Sequence, residues 1–404
     1  MKKNETLTSE KLILILLAMI QFVNVMDFVI IMPLGPQFMR VFEINPKQFG
    51  IIVSSYTFSA SIFGFLGAFF LDRFDRKKSL ITLLTGFCIG TLLCAVSTNY
   101  LFLVISRIIA GAFGGIMGAT LFSIIGDIIP PERRGQATGL VMSGFALASV
   151  LGIPVGLYLA NLFDWHAPFY LLSFLSFFII PFLIKYLTSI NKQIENKVIK
   201  SPLKEVRDLF SEKNNIKAFT LTMMLTLAGF SVIPYLSPYM VSNVGLKESE
   251  LPYIYLIGGF CTLFTAQIIG KLADKYGKRK VFIIMALIST IPVMIITNLG
   301  KIPLKLVLLI TSFFMISVSG RVIPSMAMIT SSVKPQYRGS FMSINSSLQN
   351  LGSGLAAFIS GNIVSKLSNG QIINYNYSGY LSILATLLCV YLSTKLEYEE
   401  GLKM

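Results

Sequence analysis

GKLADKYGKRK at Gly270–Lys280 and AFFLDRFDRKK at Ala68–Lys78 are two copies of one pattern. Their aspartates, Asp72 and Asp274, stand 202 residues apart in a chain of 404. Each copy joins the end of one long apolar run to the start of the next, so each is a tight basic turn between hydrophobic segments. Arg134-Gly135 and Arg338-Gly339 repeat in the same kind of position at an offset of 204. Self-similarity at half the chain length marks two similar halves.

The runs that flank these turns belong in a membrane. The chain is 54% hydrophobic and 13% charged, against about 25% charged in a soluble domain. Runs of about 20 apolar residues span a bilayer as helix, and twelve are expected, six in each half. They fall at 12–34, 49–71, 79–97, 101–125, 136–162, 167–187, 217–241, 252–271, 279–298, 304–330, 337–364 and 377–395. The expected fold is an all-α membrane protein of twelve transmembrane helices in two pseudo-symmetric six-helix bundles. The first bundle takes residues 1–187, a cytoplasmic linker residues 188–216, and the second bundle residues 217–404. Within the linker, KSPLKEVRDLF (Lys200–Phe210) has the pattern of an amphipathic helix lying on the cytoplasmic face of the membrane, with a solvated linker as the other reading.

The net charge of +15 in a soluble protein points to nucleic acid. Here its distribution excludes that. With the N-terminus inside, 26 of the 34 Lys and Arg lie in the tails and inner loops. Only Arg40, Lys47, Lys247, Lys301, Lys305 and Lys366 lie outside, and Arg107 and Arg321 lie within spans. The positive-inside rule then places both termini in the cytoplasm and the protein in the cytoplasmic membrane. The four cysteines, Cys88, Cys94, Cys261 and Cys389, have neither zinc spacing nor a disulfide framework. The first apolar run is too long for a signal-peptide core and reads as a retained span.

The loop copies resemble the hallmark motif of the major facilitator superfamily, G-x-L-A-D-R-x-G-R-K, between helices 2 and 3 of each half. Gly270, Leu272, Asp274, Gly277, Lys278 and Arg279 fit in the second half. In the first, Asp72, Arg73, Arg76 and Lys77 fit, while Ala68 and Asp75 stand where glycines are expected. The resemblance implies that Asp72 and Arg76 clamp the cytoplasmic ends of neighbouring helices in the outward-facing state. Conformational gating is accordingly expected of Asp72, Arg73, Arg76, Asp274, Lys278 and Arg279.

Helix 4, LVISRIIAGAFGG, is similar to the superfamily's L-x3-R-x2-q-G pattern, with Ala110 in place of the usual Gln. Helix 5 carries Gly152-Ile153-Pro154-Val155-Gly156. It is similar to the G-P-x-x-G core of proton-driven exporters, and closer to the G-V-P-L-G variant of sugar-efflux and chloramphenicol exporters. Gly144, Ala148, Gly152 and Gly156 recur every fourth residue, a stripe that admits close helix approach. Pro154 is expected to kink the helix. Gly152, Pro154 and Gly156 join the gating set.

Asp27, Arg107 and Arg321 lie well inside spans, where a charge costs at least about 2.5–3.5 kcal/mol and needs a partner or a wet cavity. Asp27 in helix 1 and Arg107 in helix 4 sit at comparable depth and are expected to pair. Relatives in the superfamily use a helix-1 acid and the helix-4 arginine in proton coupling, and these positions match; a static ion pair is the alternative. Arg321 in helix 10 has no counterpart in the first half, since Arg107 maps near Thr311. It is expected at the cavity, facing an anionic or polyhydroxylated solute or interacting with Asp27 across the pseudo-twofold axis. Gln21, Asn24, Tyr56, Tyr235, Tyr239, Asn345, Gln349 and Asn350 fall in helices 1, 2, 7 and 11, which line the cavity in this fold. Tyr235 and Tyr239 also suit interfacial aromatics.

Enzyme signals are absent: the single His166 sits beside Trp165 in an outer loop with no metal partner or triad. No cofactor is expected. The resemblance covers the whole chain and implies a monomeric secondary transporter, an antiporter exporting a small solute by proton-coupled alternating access. Its partners are the solute, protons and the lipid bilayer. A facilitator or importing symporter, or a non-transporting receptor or assembly factor on the same fold, are the other readings.

Overall fold

The computed structural model describes residues 2–70, 74–190, 202–334 and 337–398, with side chains from residue 10 onward except at 68 and 202–204. Twelve long helices follow in order: α1 (Lys2–Ile30), α2 (Pro46–Phe70), α3 (Arg76–Ala95), α4 (Tyr100–Ile128), α5 (Pro131–Leu162) and α6 (Ala167–Tyr186). The second set is α7 (Lys213–Val244), α8 (Glu248–Tyr276), α9 (Lys278–Thr297), α10 (Leu304–Ser331), α11 (Arg338–Ile363) and α12 (Tyr375–Lys395). Eleven are long and apolar enough to cross a membrane. The other, α11, has the length, at 26 residues, but its turns carry Ser343, Asn345, Ser346, Ser347, Gln349 and Asn350. The linker stretch Pro202–Ser211 is helical, and its Leu209 is buried.

Local chemistry sets the helix starts. The Asn45 side chain accepts from Gln48 N at 2.9 Å while Gln48 Oε1 accepts from Asn45 N at 3.0 Å. With Pro46 at the first helical position, this reciprocal cap fixes the start of α2. Asn99 caps α4 through Phe102 N at 2.9 Å, and Asp75 caps α3 through Lys78 N at 2.8 Å. The cap of α9 is instead Gly277, whose φ of 93° suits a residue without a Cβ.

By packing, the chain divides into two units, residues 1–31 with 55–202, and residues 32–54 with 203–404. In the first unit the small-residue stripe of α5 lies on α1. A Cβ on Gly152 would sit 3.0 Å from Met26 Sδ, and one on Gly156 would sit 2.8 Å from Ile30 Cδ1. Pro154 removes a backbone donor and crowds the preceding turn, and α5 takes one π-helical turn, Ala148–Gly152, just before it. Gly111 and Gly115 of α4 give way to the backbone of α2: a Cβ on Gly111 would lie 3.0 Å from Tyr56 Cα. In the second unit Phe219 of α7 stacks on Phe341 of α11, ring centroids 4.5 Å apart.

Candidate functional site

Asp27 and Arg107 are both fully buried. Arg107 Nη1 donates to Asp27 Oδ2 at 2.7 Å, and Thr91 Oγ1 of α3 donates to Asp27 Oδ1 at 3.2 Å. The carboxylate on α1 therefore has one charged and one neutral donor. A carboxylate–guanidinium bond of this length is charge-assisted, and in an apolar surround it repays desolvation only while both charges are present. Arg107 Nε and Nη2 are buried without hydrogen-bond partners. The guanidinium lies instead over the Tyr56 ring, with Cζ 4.3 Å from its centroid. Tyr56 OH donates to Asn24 Oδ1 at 3.2 Å, and Asn24 Nδ2 donates to Gly114 O at 3.3 Å. Four helices thus meet at one polar cluster in an apolar unit. Of its members Thr91 escapes sequence reading, because a threonine in an apolar run gives no signal of what it faces.

The second unit treats its buried arginine differently. Arg321 is 1% exposed. Its Nη1 donates to Ser289 Oγ of α9 at 3.1 Å and to Thr386 Oγ1 of α12 at 2.6 Å, while its Nε has no partner. Between Lys213 and Lys395 the acidic residues are Glu248, Glu250 and Asp274, at or beside helix ends. No carboxylate of those helices' interiors can reach it.

The remaining candidates are dispersed. Gln21 is buried with Oε1 unpartnered. Asn345 Oδ1 accepts from Thr222 Oγ1 at 2.7 Å, and Gln349 and Asn350 are half-buried on the same helix. Tyr235 is fully buried, its OH bonded to the backbone oxygens of Pro46 and Ala357 at 3.2 Å each. Tyr239 OH donates to Leu299 O at 2.9 Å. Both tyrosines are buried and bonded to backbone rather than displayed at a surface. His166 lies on Trp165 with centroids 3.7 Å apart, its Nδ1 2.9 Å from Asp164 Oδ1.

Among the loop residues, Asp72 and Arg73 lie outside the described residues. Arg76 Nε donates to Asp127 Oδ2 at the end of α4, at 3.2 Å, and Lys77 Nζ donates to Ile184 O near the end of α6 at 2.7 Å. A cation on the last carbonyls of a helix complements its dipole. In the second copy Lys278 Nζ meets Ser331 Oγ at 3.3 Å, Arg279 Nη2 donates to Leu396 O at 2.6 Å, and Asp274 is exposed. Asp75, which replaces a motif glycine, does more than cap α3: Ser189 Oγ and Ile190 N donate to its Oδ2 at 2.5 and 2.8 Å. Burial pushes its carboxyl up, but the bonds from Ser189, Lys78 N and Ile190 N, with the Lys78 charge, hold it below the ordinary carboxylate range. Asp127 and Ser189 were not among the sequence candidates; nothing local marks either.

The family model described as the Major Facilitator Superfamily matches residues 17–225 and 218–401. An uncharacterised MFS-type transporter of Bacillus subtilis strain 168, YceJ, is 24% identical over 343 residues, 85% of this chain and 86% of that one. A second from the same strain, YwfA, is 27% identical over 329 residues, 78% of each. Among solved structures, a D-xylose-proton symporter superposes with a TM-score of 0.77 at 16% identity, over 96% of this chain and 98% of that one. A bacterial homologue of the human lysosomal transporter Spinster, inward-facing and occupied, gives 0.76 at 14% over 96% of each. A variant of the nucleoside transporter NupG gives 0.73 at 16%, over 96% and 99%. These likenesses carry the fold, and the family match spans nearly the whole chain: this multi-pass membrane protein belongs to the Major Facilitator Superfamily.

Proposed function

We propose that the protein is a proton-coupled secondary transporter that exports a small organic solute across the cytoplasmic membrane by alternating access. The observation that supports this most is the fully buried Asp27–Arg107 pair. A carboxylate at that depth is expensive, and its single charged partner gives the pair two distinct arrangements: Asp27 ionised against Arg107, or Asp27 protonated with Arg107 released. Protonation of Asp27 then biases which conformation is favoured. Efflux is read from α5, whose Gly152-Ile153-Pro154-Val155-Gly156 segment packs on α1 within three residues of Asp27, at Met26 and Ile30. Movement of α5 against α1 would pass directly to the coupling carboxylate.

The solute side is assigned to Arg321 with Gln21, Tyr235, Tyr239, Asn345, Gln349 and Asn350. Arg321, a buried cation with no carboxylate in the helix interiors of its half, favours solutes bearing negative or hydroxyl-rich groups. The gating role belongs to the two loop copies and the α5 stripe, with both termini cytoplasmic and the protein working as a monomer.

The test is reconstitution into proteoliposomes under an imposed pH gradient, with drugs, sugars and organic acids screened for uptake and release. Movement of a solute against its own gradient, driven by opposite proton flow, is the expected result. Co-directional flow would make the protein a symporter, the second reading, favoured by the departure of Gly-Ile-Pro-Val-Gly from the G-P-x-x-G core. Equal rates with and without the gradient would make it a facilitator.

A further inference from the structure

The proton-coupling reading leaves one difficulty. When Asp27 takes a proton, Arg107 becomes a buried cation with its charged partner gone, and an uncompensated charge in a low-dielectric interior is strongly unfavourable. Unless something else holds the guanidinium, that penalty opposes any cycle in which Asp27 takes up a proton. Asp27 is bonded to Arg107 on α4 and Thr91 on α3, and Tyr56 on α2 and Cys94 on α3 lie within electrostatic reach of the pair. Where α5 packs on α1, it brings glycines to Met26 and Ile30 and no charge. None of these offers a second anion.

What α2 offers is a ring. The Arg107 guanidinium carbon stands 4.3 Å from the centroid of Tyr56, inside the range of a cation–π contact, which strengthens when both partners are desolvated. Tyr56 is 4% exposed, and two side chains of α1 hold it. Phe28 stacks against its ring at 5.5 Å between centroids, the Tyr56 hydroxyl is tied to Asn24 Oδ1 at 3.2 Å, and Asn24 is itself anchored to Gly114 O at 3.3 Å. The backbone of α4 is cut away to make room. A Cβ on Gly114 would lie 2.5 Å from Tyr56 OH and 2.8 Å from Asn24 Oδ1. Gly111, one helical turn from Arg107, lets the Tyr56 backbone approach. The ring is therefore fixed over the arginine by α1, α2 and α4 together.

We propose that Tyr56 and Asn24 are positioning residues for the coupling pair. The ring face is the second seat of the Arg107 charge, occupied more fully when Asp27 is protonated, and the Asn24 amide sets the ring at the right height. This rests on the coupling reading above and adds to it the group that holds the Arg107 charge when the carboxylate is neutral.

The test needs no solute. Infrared difference spectra of the purified protein, recorded between pH 5 and 9, show the carboxylic-acid C=O band of protonated Asp27, assigned by its absence in Asp27→Asn. Tyr56→Leu removes the ring, and a cation–π contact of ordinary strength corresponds to a displacement of the band's midpoint by about half a pH unit or more. Tyr56→Phe keeps the ring and loses only the tether, so its displacement is smaller than that of Tyr56→Leu. Asn24→Ala changes a half-buried side chain rather than the core, and it provides the same readout should Tyr56→Leu fail to fold. A midpoint identical in wild type, Tyr56→Leu and Asn24→Ala overturns the proposal while leaving the coupling reading standing. A wild-type protein with no Asp27 band anywhere in the range removes the coupling reading, and this one with it.

Discussion

The two halves of the chain share a plan and solve the same electrostatic problem differently. In the first half, cations meet carboxylates: Arg107 bonds Asp27 at 2.7 Å and Arg76 bonds Asp127 at 3.2 Å. In the second, the corresponding cations meet hydroxyls: Arg321 bonds Ser289 and Thr386, and Lys278 bonds Ser331, while the ion pair of Lys217 with Glu397 lies at the exposed end of the unit. The Lys278–Ser331 pair is the counterpart of Arg76–Asp127, since residue 331 lies 204 beyond 127. A carboxylate partner can be switched off by a proton; a hydroxyl cannot. Under the proposed coupling, Arg107 loses its charged partner when Asp27 is protonated, whereas the hydroxyl partners of Arg321 do not change with pH.

Removing each arginine should have opposite consequences. Arg107→Met leaves Asp27 as a buried charge without its partner, a change of about 3–5 kcal/mol in the unfavourable direction. Its thermal midpoint in detergent should fall sharply, and Asp27→Asn on top should recover part of the loss. Arg321→Met removes a charge that no carboxylate balances, and exchange of buried ionic groups for apolar ones of similar volume is often neutral or stabilising. Its midpoint should stay level or rise while transport is impaired. A fall equal to that of Arg107→Met would erase the distinction between the halves.

The loop copies offer a subtler exchange. Position 75 carries a capping carboxylate where position 277 carries a glycine at φ 93°. Gly277→Asp forces a side chain into a backbone region worth about 1–3 kcal/mol of strain. Asp75→Gly loses the cap, worth only about a few tenths of a kcal/mol when glycine replaces it, along with the bonds from Ser189 and Ile190. Both should lower the thermal midpoint, Gly277→Asp more. If Asp75→Gly were silent, the first copy would be a degraded motif rather than a modified one.

The smallest effect is in pH. Because the folded-state carboxyl of Asp75 is depressed, its contribution is complete above the unfolded value of about 3.9. It disappears as pH falls through the lower folded value. Midpoints of wild type and Asp75→Asn should therefore differ at neutral pH and converge under acid conditions. A constant difference would place the effect of Asp75 in packing instead of charge.

Much of this was legible in the residues. Span-length apolar runs and a half-length repeat are enough for the twelve-helix plan, because helix is forced wherever backbone must satisfy itself in lipid. The polarity of α11 was visible in SINSSLQN. Asp27 and Arg107 could be paired because depth along a helix is readable from sequence, and two opposite charges at one depth have few other options. The partners that sequence did not mark depend on rotation and lateral packing. Tyr56 looked like a solute contact, and its place over Arg107 follows from the close approach of α2 to the glycines of α4. Asp75 looked like a lost glycine, because its bonds come from residues 189 and 190, more than a hundred positions away.

The central claim is that a proton on Asp27 drives solute movement. Its most direct test is solute transport in proteoliposomes under an imposed pH gradient, comparing wild type with Asp27→Asn. The account predicts gradient-driven accumulation in wild type and its loss in Asp27→Asn, with exchange of solute across the membrane in the absence of a gradient retained. Gradient-driven accumulation that persists in Asp27→Asn would contradict it.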